Sequence, residues 1–181
     1  MRSITYLQPG ERRGCVGCHE PRGISSNTNR PLAMKRTPSI IKPGPQGTRP
    51  FSYPQLVQPV IDKHCVSCHD GKEQKLNLTS QPDGTFTKSY NSLKPYLKWY
   101  EWGGETITEI VTRPGRMGAD ESPLSKILVD DTHSKHVKLS QADRERINIW
   151  LDGNVPFYGT YDESAQKAQR MAKTVPPPGL Q

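Results

Sequence analysis

Four cysteines stand in two pairs of identical spacing, each with a histidine directly behind it: Cys15-Val16-Gly17-Cys18-His19 and Cys65-Val66-Ser67-Cys68-His69. Thiols three positions apart lie on one side of a helical turn, so both reach one partner while the next residue turns beneath it. This is the spacing of c-type haem attachment, in which each thiol adds to a porphyrin vinyl group and the imidazole ligates the iron. It makes Cys15, Cys18, Cys65 and Cys68 thioether anchors for two covalently bound c-type haems, with His19 and His69 as proximal iron ligands. A structural zinc ion held by the four thiols is the alternative. Against it, 46 residues separate the pairs, where zinc modules use about 12 to 20. Only five histidines occur in 181 residues, so placement of one behind both pairs by composition alone has odds of about one in a thousand. A disulfide within either Cys-x-x-Cys would be strained.

The rest of the chain needs such a cofactor. Hydrophobic residues make up 32%, and 17 prolines and 15 glycines interrupt regular structure. A chain of this kind has a thin side-chain core, and two large apolar macrocycles would supply the missing buried surface. Trp99, Trp102 and Trp150 are candidates either to pack against the rings or to form ordinary core. The formal charge of +7 suits an anionic ligand or acidic partner, and Arg12, Arg13, Arg113 and Arg116 are candidate propionate contacts. The basic residues form no run of five and carry no aromatic RNA-binding signature, so nucleic acid is not expected. No run of 18 apolar residues is present, so no membrane-spanning helix is expected. The first residues lack the apolar core of a signal peptide.

The pattern predicts a mainly α, loop-rich, c-type cytochrome-like dihaem domain with an irregular N-terminal haem-binding arm. Residues 1–50 form that arm with the first motif, 51–161 a helical domain with the second motif, and 162–181 a polar, proline-rich tail on the surface. Leu56, Val57, Val60, Ile61 and His64 recur at helical spacing up to the second motif, with Pro59 either kinking that helix or restarting it as a first-turn residue. Ser122-Pro123 reads as a cap and first-turn proline for Leu124, Ile127 and Leu128. Ser140 with Asp143 resembles a capping box for a helix carrying Ile147, Trp150 and Leu151, with Gly153 at its end. Lys75–Thr79 and Thr85–Thr87 are expected to pair as a short hairpin.

The second ligand on each iron decides between electron transfer and catalysis, because an open position admits substrate. For the second haem His133 and then His136 are the distal candidates, since both lie between the two best helices. Met117, in a Pro/Gly loop, is the weaker candidate. For the first haem Met34 and His64 are available. His64 adjoins Cys65, too near to cross its own haem, and a local hydrogen bond is the expected role.

Three segments carry a family resemblance: Pro9-Gly10-Glu11-Arg12-Arg13-Gly14-Cys15-Val16-Gly17-Cys18-His19-Glu20-Pro21-Arg22, Lys63-His64-Cys65-Val66-Ser67-Cys68-His69-Asp70-Gly71, and Leu151-Asp152-Gly153-Asn154-Val155-Pro156-Phe157-Tyr158-Gly159-Thr160-Tyr161. Over nearly its whole length the chain resembles the haem-bearing C-terminal part of hydrazine synthase alpha-subunit-like proteins of planctomycete-type bacteria. The resemblance implies an upstream propeller-containing region, making this chain a fragment or truncated relative, and a periplasmic or other extracytoplasmic location. For catalytic members it implies a tyrosine ligand shortly after the first motif, a motif histidine diverted to zinc, and a second haem held by two histidines. Residues Glu20 to Arg30 contain no tyrosine, so His19 is expected on the iron itself and hydrazine formation is not expected of this chain. The function expected is electron transfer with redox protein partners. The rivals are an oxidoreductase with an open first haem acting on a small nitrogen compound or peroxide, and a zinc-stapled binding module.

Overall fold

The computed structural model describes residues 6–11, 22–25, 32–40, 42–43, 50–72, 76–99, 115–171 and 173–176, and the chain divides into two units, Met1–Lys42 and Pro43–Gln181. The division falls before the expected boundary at residue 50. Phe51 and Ser52 belong to the second unit, as expected: Phe51 abuts the core, and Ser52 Oγ donates to Gln169 Oε1 at 2.5 Å. In the first unit the described residues include a turn closed by Glu11 N–H on the Gln8 carbonyl at 2.9 Å and a 3-10 turn at Leu32–Lys35. The second unit is mainly helical and rich in loops, with one small sheet.

Pro59 shapes the entry to the second unit. Lacking an N–H, it cannot continue an α-helix begun at Tyr53, and the chain takes a π-helical turn over Tyr53–Val57 before α1 runs from Gln58 to His64 with Pro59 in its first turn. The proline therefore restarts the helix. Tyr53, Leu56, Val57, Val60 and Ile61 are buried, as their helical spacing requires.

The expected hairpin is replaced by a different pairing. Strand β1, Pro82–Asp83, pairs antiparallel with β2, Phe86–Thr87, with Pro82 opposite Thr87. Gly84 at φ +63° supplies the left-handed residue that so tight a turn demands. The Leu76–Thr79 segment goes elsewhere: Asn77 bridges to Asp70, and the Leu78 N–H bonds to the His69 carbonyl at 2.8 Å. Helix α2, Lys88–Leu93, follows, capped by Thr87, whose Oγ1 accepts from the Tyr90 N–H.

Three more helices complete the frame around the second motif. Helix α3 spans Pro123–Ile127, α4 Asp131–His136 and α5 Gln141–Asp152. Ser122 precedes α3 but its hydroxyl accepts from the Lys98 N–H at 3.0 Å rather than capping. Ser140 does cap α5, accepting from the Asp143 N–H at 3.1 Å. Only half of the capping box forms, because the Asp143 carboxylate is engaged elsewhere. Past Gly153, Asn154 and Val155 take φ of 68° and 50°, costly for a β-branched residue. The turn is held because Trp150 Nε1 donates to the Pro156 carbonyl at 3.1 Å and the Tyr90 hydroxyl to the Val155 carbonyl at 2.7 Å.

A chain with few large side chains thus concentrates its aromatics. Tyr53 lies 4.9 Å from Trp150 and 5.2 Å from Tyr90 between ring centroids, and Phe157 lies 4.9 Å from Tyr90. Trp150 is fully buried in this cluster, which settles it as core; Trp99 packs partly buried against the same core, and Trp102 lies outside the described residues. The segment after residue 161 opens as a helix, α6, Glu163–Arg170. It is tied down by Gln169 on Ser52 and by Arg170, whose Nη2 donates to the Tyr158 hydroxyl at 3.0 Å.

Candidate haem site

The second motif is the continuation of α1. The Cys65 N–H bonds to the Ile61 carbonyl at 2.8 Å, and the Cys68 and His69 N–H groups bond to the Cys65 carbonyl at 3.1 and 3.0 Å. This closed turn brings Cys65, Cys68 and His69 to the wall of one cavity. Both cysteines are free thiols. Cys65 is partly buried and Cys68 exposed. Burial first, then the neighbouring Cys68 and Asp62, push the Cys65 thiol up to about 11.

The cavity has a volume of about 350 Å³, within the range of small-molecule and cofactor sites. Its apolar lining comprises Leu76 and Leu78 from the segment after the motif, Leu93 from α2, and Leu124, Ile127 and Leu128 from α3 and its end. Helix α4 contributes His133 and His136, one turn apart, and so on one face. Asp130 fixes that helix by capping it, its Oδ1 accepting from the His133 N–H at 2.8 Å. That backbone hydrogen bond, foremost among several contacts, holds the Asp130 carboxyl below its usual value.

His69 and His133 form the central geometry. Their ring centroids are 6.4 Å apart and their planes within 11° of parallel. Two imidazoles sharing one metal, with bonds of about 2 Å and about 1.1 Å from each nitrogen to its ring centre, have centroids about 6.2 Å apart. The observed spacing is close to that value. His133 Nδ1 is buried 3.5 Å from Asp130 Oδ1, too far for a well-formed hydrogen bond. Among the described residues no cluster of three or more His, Cys, Asp or Glu side chains is arranged to hold a metal ion. Four imidazoles, of His64, His69, His133 and His136, share this wall with the two thiols, Tyr96, Thr132 and the apolar side chains.

Other candidates are sorted by position. His64 lines the cavity, and its Nε2 lies 3.1 Å from Asp143 Oδ2, the local bond expected of it. His136 is at the cavity edge and exposed. Met117 is not among the cavity-lining residues; its loop is tied to α5, with the Ala119 N–H on Asp152 Oδ1 at 2.8 Å. Arg116 is exposed. Cys15, Cys18, His19, Arg12, Arg13 and Arg113 lie outside the described residues, and Met34 belongs to the other unit.

Sequence reasoning missed Asp143 as more than a cap. Its side chain is 8% exposed and accepts from Lys63 Nζ at 3.3 Å and Arg146 Nη1 at 2.8 Å besides His64. Burial pushes its carboxyl up, but the hydrogen bonds from His64, Ser140 and Lys63 prevail and hold it low. The only signal was an acidic residue on the face shared with Ile147 and Trp150. No family model, no curated protein and no solved structure matches this chain.

Proposed function

We propose that the second unit is a c-type cytochrome domain whose cavity takes one covalent haem between His69 and His133, and that the whole chain is a dihaem electron-transfer protein. The 6.4 Å separation of two nearly parallel imidazoles beside Cys65 and Cys68 carries this reading. When bound, the haem supplies one-electron chemistry at iron. The chain's residues anchor, ligate and shield it. Cys65 and Cys68 would anchor the haem through their thiols, His69 and His133 would ligate its iron, and the leucines of α2 and α3 would exclude water. Two protein ligands on the iron would favour electron transfer over substrate binding.

By the same motif chemistry, Cys15 and Cys18 anchor a second haem with His19 on its iron. The likeness to hydrazine synthase alpha-subunit-like proteins supports an extracytoplasmic location, where c-type haem is attached, an upstream region in a longer chain, and redox protein partners. The rival oxidoreductase would need an open first haem.

Expression with a c-type maturation system tests the reading. Mass spectrometry is expected to find two haems per chain, falling to one in C65A/C68A. His133→Ala should convert one haem from low to high spin and open it to carbon monoxide, whereas His136→Ala should leave both low-spin. A haem-free chain, or conversion by His136→Ala alone, contradicts the assignment.

A further inference from the structure

The sequence holds three Asp-Gly pairs, Asp70-Gly71, Asp83-Gly84 and Asp152-Gly153. A glycine has no Cβ to crowd its own backbone nitrogen, so that nitrogen can attack the carboxyl carbon of the aspartate before it. By sequence the three pairs are alike. The fold sets them apart.

Asp152 closes α5. The Gly153 N–H is engaged by the Ile149 carbonyl at 2.8 Å, and Asp152 Oδ1 accepts from the Ala119 N–H at 2.8 Å. Nucleophile and carboxyl are thus held by different partners. Asp70 is held by charge: its Oδ1 accepts from the Lys72 N–H at 3.0 Å, and its Oδ2 lies 2.9 Å from Lys72 Nζ. The side-chain hydrogen bond from Lys72, foremost among these contacts, keeps the carboxyl below its usual value, which depletes the protonated acid that the attack requires. Gly71 is also crowded, since a Cβ there would stand 2.4 Å from Asn77 Nδ2.

Asp83 differs on each count. It ends β1 at the two-residue turn into β2, with Gly84 at φ +63° in the first central position. Both residues are exposed, and nothing stands within 4 Å of where a Gly84 Cβ would be. The Asp83 carboxylate meets a neutral amide, Asn91 Nδ2 at 2.8 Å, where Asp70 meets a cation. The turn is fixed at Thr85, whose carbonyl accepts from the Tyr158 hydroxyl; among the described residues none takes the Gly84 N–H.

We propose that Asp83-Gly84 is a spontaneous modification site, at which aspartate isomerises to isoaspartate ahead of the other two pairs. The Gly84 nitrogen bonds to Asp83 Cγ, and the carboxyl hydroxyl leaves with the amide hydrogen as water, closing a succinimide ring. Water then adds at the Asp83 main-chain carbonyl carbon and breaks its bond to the Gly84 nitrogen, so that the chain runs on through Cγ. One water leaves and one returns, with no oxidant or co-reactant. The product has one more main-chain atom between the paired strands, which the pairing of Pro82 with Thr87 has no slack to absorb. The change therefore falls at the start of α2, which Thr87 caps.

Timed incubation of the full chain at mildly acidic to neutral pH, followed by peptide mapping with electron-transfer fragmentation, reads each pair separately. Isoaspartate is expected to accumulate several-fold faster at Asp83 than at Asp70 or Asp152. Asp83→Glu should abolish the signal there, because the longer side chain would have to close a larger ring. In urea, where the contacts that distinguish the pairs are gone, the three rates should converge. Earlier product at Asp70 or Asp152, a signal surviving Asp83→Glu, or a lead for Asp83 undiminished in urea overturns the proposal. Nothing in the step involves haem, so its outcome stands apart from that of the cytochrome reading.

Discussion

At the residue scale, the two thiols of the second motif differ in burial. Cys65 is partly buried with its thiol raised to about 11, whereas Cys68 is exposed. Alkylation proceeds through the thiolate, so in haem-free protein near neutral pH Cys68 should react first and Cys65 at least several-fold more slowly. Peptide mapping after timed iodoacetamide treatment measures the order; equal rates would show that the α1 end is open without cofactor. That Cys65, Cys68 and His69 share one closed turn was legible from their spacing. The choice among His133, His136 and Met117 was not, because it depends on the direction of a six-residue helix. Asp130 sets that direction by capping α4, and a cap says where a helix begins, not which cavity it faces.

At the scale of elements, α5 joins the aromatic core to the end of α1 beside the second motif. One face buries Ile147, Trp150 and Leu151, while Asp143 reaches Lys63 and His64 at the end of α1. Ser140→Ala removes the cap and should cost about 1 kcal/mol. Asp143→Ala strands its cationic partners and should cost roughly 2 kcal/mol. Urea unfolding of both variants measures these losses. The Asp143 carboxyl is held low in the folded state, so its contribution is present above the unfolded-state value of about 3.9. That contribution is lost as pH falls through the lower folded value. The acid limb of the wild-type stability curve should therefore flatten in Asp143→Asn. The helical stripe of α5 was legible from its spacing, and so was a break at Pro59, but whether it kinks or restarts the helix was not. The hairpin was not, because Leu76 and Leu78 alternate like strand residues yet serve the cavity wall, and Gly84 selects the nearer pairing.

At the scale of the whole molecule, scarcity of apolar residues is met in two ways. Aromatic rings around Tyr53, Trp150 and Phe157 form one dense core, and leucines of α2, α3 and the segment after the motif line a cavity. Trp150→Ala should cost about 3 to 5 kcal/mol, with or without cofactor. Haem loading should add stability through the cavity alone, so the loaded protein should melt well above the haem-free one and Leu124→Ala should narrow that gap. Calorimetry of the four samples tests this.

The central claim is that His69 and His133 share one iron with their rings nearly parallel, and electron paramagnetic resonance of the oxidised C15A/C18A chain, loaded with haem at the second motif only, tests it most directly. Two parallel imidazoles give a rhombic low-spin ferric signal, which is the result predicted here. A high-spin axial signal, or the strongly anisotropic low-spin signal of perpendicular rings, would contradict the 6.4 Å, 11° arrangement as the ligand pair.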